Sequence, residues 1–286
     1  LYFGTGISRS LSDFGGQGQP PSNPELLDRL AIEFHESGWD IKHMVRLLTT
    51  SRAYRQSSVT SPELRDRDPY NQLVASQSRF RLPAEMIRDN ALAVSGLLET
   101  ATGGASVNPP QPGGYYRHLN FPVRKYKPDT DGQVYRRSVY IHWQRQFLHP
   151  MLKAFDAPSR EECTAERPRS NTPVAALNLL NDPSFVEAAR VLAERILKEA
   201  EKNDRARLDH AYELVLSRSP TDDERKAMGE LFNYARKDFE QHPDAAKELI
   251  RIGKTPAGAD QDPVELAVWT SISRALLNLS ETTTRN

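Results

Sequence analysis

Cysteine is almost absent from the sequence: Cys163 is the single one among 286 residues. One thiol cannot close an internal disulfide, and without a Cys-x-x-Cys-His run these residues carry no c-type haem attachment of their own. Long apolar runs are absent too; none approaches the roughly 18 residues that a membrane-spanning helix needs. Neither sign of charge is in excess, with 38 Lys and Arg against 38 Asp and Glu. No whole-chain basic field therefore attracts nucleic acid or acidic lipid, and a nucleic-acid partner is not expected. The sequence patterns of well-understood catalysis are missing: no Walker loop, no His-Glu-x-x-His and no Gly-x-Ser-x-Gly. Beginning at Leu1 rather than Met, the chain reads as a piece of something longer.

What is present is enough for a folded core. The composition is 38% hydrophobic and 27% charged, and the length suits one large or two modest domains. Helix starts recur along it. Ser22-Asn23-Pro24-Glu25 precedes Leu26, Leu27, Leu30, Ala31 and Phe34 at helical spacing, Gly38 ends the run, and Asp40 caps a second helix with Met44, Val45 and Leu48. The two are expected to form a hairpin. Ser61-Pro62 and Asp68-Pro69 read as further short starts. Pro83 opens a helix whose Ala84, Ile87, Ala91, Val94, Leu97 and Leu98 form one stripe, with Glu85, Arg88 and Asp89 on or beside its other face.

Thr172-Pro173 and Asp182-Pro183 start two more helices. In the second, Phe185, Ala188, Ala189, Leu192, Ile196 and Leu197 share one face, which places Glu187, Arg190, Glu194 and Lys198 toward solvent. Three later helices are expected around Tyr212, after the Thr221-Asp222-Asp223-Glu224 capping box, and around Trp269. The fold class is mainly α: an irregular multi-helix bundle with long ordered loops and at most a minor β element. It reads as one domain over 1–286, with a subdivision at 128/129 left open. Gly and Pro forbid a regular element through most of Thr102 to Pro128, and Tyr135 to Trp143 fits either strand or helix.

Chemistry has few candidates. The stretch from Phe155 to Ser170 is densely charged without amphipathic period. Its Asp156 with Glu161 or Glu162 can serve as acid and base or ligate a hard cation, with Arg160 as an anion clamp. The reading preferred for this stretch is a loop braced by Arg–carboxylate pairs. Cys163 is expected to be a buried, unreactive thiol, and the seven histidines show no metal-ligand spacing, so no metal is expected. Tyr115, Tyr116, Tyr126 and Trp143, beside Arg124, Arg137 and Arg145, form a modest carbohydrate-platform candidate whose alternative is plain packing; Phe121 belongs to the same aromatic segment.

Pro21 to Leu30, Glu36 to Asp40, Thr50 to Ser58 and Arg81 to Asp89 resemble, in order, the family catalogued as domain of unknown function 1553 (DUF1553). So do Phe155-Asp156-Ala157-Pro158, Asn171 to Leu177, Leu180 to Pro183 and Leu276 to Leu279. The resemblance implies a domain of large exported proteins of planctomycetes and related bacteria, in the periplasm or at the cell surface. It implies neighbouring domains of the same polypeptide as partners, and haem c only on a separate upstream cytochrome-like domain. No reaction comes with it. Among polar positions within or beside the matching runs, Arg88, Asp89, Arg137, Asp156, Arg160, Glu161 and Asn181 rank as candidates to line one pocket or to cement helix junctions. From the sequence, an interaction or substrate-binding module stands first, a hydrolase or lyase using Asp156 second, and a purely structural domain third.

Overall fold

A computed structural model describes residues 2–13, 15–118, 123, 125–144 and 147–285. Phe121, Arg124 and Arg145 lie outside the described residues. The chain forms two compact units, one of Leu1–Arg81, Cys163–Arg167 and Thr284–Asn286, the other of Leu82–Glu162 and Pro168–Thr283. It is mainly helical, as the spacing predicts, and its single sheet among the described residues has two strands.

The first unit contains α1 (Pro24–Glu36) and α2 (Ile41–Thr50). Asp40 caps α2 by accepting from the backbone N–H of Lys42 and His43 at 2.8 and 3.1 Å. This satisfies two of the donors that a helix start leaves open. The hairpin is clamped by His43 Nε2 against Glu33 Oε1 at 2.7 Å and by the Trp39 ring edge-on to Phe34. Helix α3 (Pro62–Arg67) starts where Ser61 accepts from Leu64 N–H. Asp68-Pro69, however, starts no helix: both carboxylate oxygens of Asp68 accept from Gln72 and Leu73 N–H at 2.8 Å and close a turn instead. Strands β1 (Phe80–Arg81) and β2 (Thr284–Arg285) pair antiparallel, Phe80 opposite Arg285. Arg285 stacks over the Tyr54 ring, which also meets Tyr2 and Phe3 edge-on.

The second unit begins with α4 (Ala84–Ser95) and α5 (Pro150–Ala154), continues through α6 (Pro173–Asn181), α7 (Pro183–Glu199), α8 (Asp204–Leu216) and α9 (Asp222–Gln241), and ends with α10 (Pro243–Ile250), α11 (Pro263–Leu277) and α12 (Ser280–Thr283). Its centre is the packing of α7 on α11, flanked by α4 and α9. Phe185, Leu192 and Ile196 of α7 and Leu266, Ile272 and Leu276 of α11 are buried. Each such side chain contributes about 1.5–3 kcal/mol. The capping box at Thr221 and Glu224 forms as the sequence predicts. Helix α10 was not anticipated: it follows α9 directly at His242-Pro243 and masks its own start.

Three further expectations are corrected. Tyr135 to Trp143 is neither strand nor α-helix; it holds parts of two 3-10 turns, Gly132–Tyr135 and Ser138–Tyr140, and bridges by backbone bonds to Val107. Glu187 and Arg190 do not face solvent but are buried. The Glu187 carboxylate accepts from Lys254 N–H, Thr255 N–H and the Tyr135 hydroxyl, each at 2.7 Å, while Arg190 donates to Thr255 O at 2.6 Å. A turn far along the chain therefore covers that flank of α7, and helical period alone carries no sign of it. Gly253 makes the approach possible: its φ is +113°, and a Cβ there would lie 2.4 Å from Glu187 Cδ. Finally, Cys163 is exposed rather than buried, because the charged loop around it offers no apolar surroundings.

Candidate functional site

Helix α4 sends Arg88 inward. At 2% exposure its guanidinium is dry, and it donates through Nη1 to Arg136 O at 3.0 Å and Ser138 Oγ at 3.2 Å, and through Nη2 to Val134 O. The neighbouring Asp89 accepts from Ser138 N–H at 2.7 Å. Burial raises the Asp89 carboxyl above its ordinary range, opposed by its bonds to Ser138 and by Arg88 and Arg137. Asp182, the N-cap of α7, is likewise raised by burial and pulled back by its bonds to Ser184 and by Arg88. Burial weakens the proton affinity of Arg88, offset chiefly by Asp89 and Asp182. The structure thus brings Arg88, Asp89 and Arg137 together, with Asp182 as a further charge. The two terminal nitrogens of Arg88 are committed to the 134–138 turn, so this group fixes a loop.

His149, which the sequence offered no reason to single out, belongs near this junction. It is buried, its Nε2 lies 3.0 Å from Pro110 O, and burial lowers its pKa to about 4, with Arg88 pushing the same way. Its ring is therefore neutral, with the proton on Nε2 donated to the carbonyl. Around it the long irregular segment packs by its aromatics. Tyr116 is buried and meets Tyr115, Tyr126 and Phe147 at ring-centroid distances of 5.4–6.2 Å.

The remaining candidates lie in other settings. Both carboxylate oxygens of Asp156 accept from Ser170, from its N–H at 2.7 Å and its hydroxyl at 2.8–2.9 Å. Arg160 covers one face of the Trp143 ring at 3.8 Å, while the Trp143 indole donates to Ser159 O at 3.3 Å. Glu161 and Glu162 are exposed, and Glu161 N–H donates to Ser159 Oγ. Asn181 is exposed and returns its amide to Leu177 O on its own helix. The bonds of Asp156, Trp143 and Glu161, unlike that of Asn181, brace the loop between Phe155 and Ser170. Among the described residues, no group of three or more His, Cys, Asp and Glu is placed to hold a metal ion, and no helix is long and apolar enough to cross a membrane.

A different kind of site lies in the first unit. Among its described residues only Ser76 and Gln77 are buried, and α1 and α2 bury none. The hairpin seam uses Leu30, Phe34, Met44, Val45 and Leu48, all half-buried. Leu26, Leu27, Ile32 and Leu47 are exposed, and Trp39 and Ile41 at the connection reach 65% and 70% exposure. Scattered apolar residues are ordinary on a surface, but a two-helix element that buries nothing and leaves Trp39 and Ile41 uncovered at its connection presents apolar side chains for recognition.

No curated protein and no solved structure matches the chain. The family model described as PSD1, protein of unknown function (DUF1553), matches residues 1–232, which takes in all of α1 to α8 and much of α9. The chain belongs to that family.

Proposed function

We propose that the chain is an interaction module of an exported bacterial multidomain protein, and that the α1–α2 hairpin is its docking face. The observation that carries this reading is the hairpin itself, whose helices bury no residue while Trp39 and Ile41 stand in solvent. Aromatic and branched apolar side chains of this kind form the centre of interfaces. The occupant is a neighbouring domain of the same polypeptide, the partner that the family resemblance implies, with the upstream cytochrome c-like domain as the specific choice. Covalent linkage raises the local concentration of such a partner to the millimolar range, so a modest apolar face is sufficient.

The polar candidates support the same choice over catalysis. Arg88, Asp156, Arg160 and Trp143 all spend hydrogen bonds or ring faces on their own chain. Hydrogen exchange tests the reading: amides of α1 and α2 should be weakly protected in the 286-residue chain and gain at least tenfold protection in the longer polypeptide. Equal protection in both would remove the docking assignment.

A further inference from the structure

The first unit gathers arginines without acids. Residues 41–62 and 69–81 hold Lys42, Arg46, Arg52, Arg55, Arg79 and Arg81 and no Asp or Glu, in a chain whose charges balance at 38 of each sign. The fold lays these two runs together. Gln77 N–H donates to Ser57 O at 3.1 Å, Gln77 Nε2 to Tyr54 O at 3.0 Å, and Arg79 Nε to Ser58 Oγ at 3.1 Å. Arg55 N–H donates to Arg52 O at 3.2 Å, so the chain makes a helical turn there and sets Arg52 and Arg55 on one side of it. Arg285 joins them, its guanidinium 4.0 Å over the Tyr54 ring and its Nη1 donating to the Tyr54 hydroxyl at 2.6 Å.

Arg52, Arg55 and Arg79 are exposed and form no ion pair among the described residues. A surface of one sign that its own chain does not neutralise concentrates anions from solution. The charge is carried by guanidinium groups, whose planar forks meet two oxygens of a carboxylate or a sulfate at once. Two observations narrow the partner. Tyr54, the aromatic ring among these arginines, is covered by Arg285 and met edge-on by Tyr2 and Phe3, so it offers no free face on which a nucleobase would stack. From 51 to 58 no large apolar side chain is exposed, so the arginines lack the apolar anchor on which a protein partner would centre. Their neighbours are instead the Ser57 and Ser58 hydroxyls, which suit the hydroxyls of a sugar chain.

We propose that this arginine surface binds an anionic polysaccharide, its carboxylates or sulfates on Arg52, Arg55 and Arg79 and its hydroxyls on the serines beside them. Polygalacturonate and dextran sulfate carry the two anions on sugar chains. Labelled and titrated with the 286-residue chain at low ionic strength, at least one of them should show saturable fluorescence anisotropy, and which one does identifies the group; uncharged dextran should not bind. Binding should weaken at least about tenfold between about 50 and 200 mM salt. Arg52→Gln combined with Arg55→Gln should weaken it at least about tenfold with unchanged circular dichroism, and Arg79→Gln alone by a smaller factor in the same direction. Lys226→Gln combined with Lys237→Gln removes the same charge from exposed positions on α9, and should leave binding within about twofold. Failure of both polysaccharides to bind, or equal losses in the two double variants, overturns the site. Poly-L-glutamate or single-stranded DNA binding as tightly as the polysaccharide overturns its assignment to a sugar chain.

Discussion

Arg88 Nη1 lies 3.0 Å from the main-chain oxygen of Arg136, and Arg136 in turn donates to Ala105 O at 2.8 Å and to Gly103 O while stacking over Tyr140 at 3.8 Å. Two arginines in relay therefore tie the irregular segment after α4 back to the helical core. The carbonyls they serve have no regular ladder to satisfy them, and buried carbonyls without donors are costly. This relay explains how a stretch rich in Gly and Pro is held without secondary structure.

Replacing Arg88 with Lys should destabilise the second unit by about 2–4 kcal/mol, because an ammonium cannot span three acceptors set for a planar fork. Urea unfolding should show a lower midpoint at unchanged slope. An unchanged midpoint would mean that the 134–138 turn is held by other contacts.

His149 makes stability fall with acid in a defined window. Its ordinary pKa of 6.5 is lowered to about 4 in the folded chain. Between these values the unfolded state binds the proton and the folded state does not, so stability is complete above about pH 6.5 and declines toward pH 4. The full decline is at most about 3 kcal/mol. In a His149→Gln variant the unfolding free energy should lose this slope between pH 6.5 and 4, whatever its absolute value.

A second window lies lower. Arg218 holds Glu224 by a two-bonded fork at 2.7 and 2.8 Å and Glu281 at 2.5 and 2.9 Å. Its hydrogen bonds lower the Glu224 pKa from 4.5 to about 2. A depressed carboxylate contributes stability above its unfolded pKa and loses it as pH falls through its folded pKa, here from about 4.5 to 2. With the pair about one-third exposed, solvent screening reduces the contribution to roughly 1 kcal/mol. Glu224→Gln should flatten the acid limb by that amount, measured by thermal unfolding across the same pH range.

Gly229→Ala should stabilise the chain by about 0.5–1 kcal/mol, since a helix interior favours alanine and the added methyl meets no neighbour. A rise in the urea midpoint checks it. Destabilisation would show that the backbone of α9 needs glycine at this point for a reason outside helix propensity.

Most helices were legible because their starts carry local chemistry: Asp40, Ser61, Thr172, Asp182 and Thr221 all accept backbone donors at the positions their spacing implies. Asp68 misled because the same carboxylate serves a turn as readily as a cap. What remained hidden depends on distant partners. Arg88 and Glu187 are polar residues on helix flanks, and nothing in a 3.6-residue period tells that the 134–138 turn or the 253–255 turn will cover them. The apolar hairpin was legible as two helices, yet its lack of a covering layer required the fold.

Site-specific photo-crosslinking tests the docking assignment most directly. With a photoreactive residue at Ile41, which is 70% exposed, the proposed longer polypeptide should yield crosslinks from Ile41 to the cytochrome c-like domain proposed as its partner. Trp39→Asp should reduce them at least tenfold while the 286-residue chain keeps its helical circular dichroism. Absence of crosslinks to that domain, or crosslinks formed equally in the Trp39→Asp variant, would contradict the assignment of α1 and α2 as a docking face.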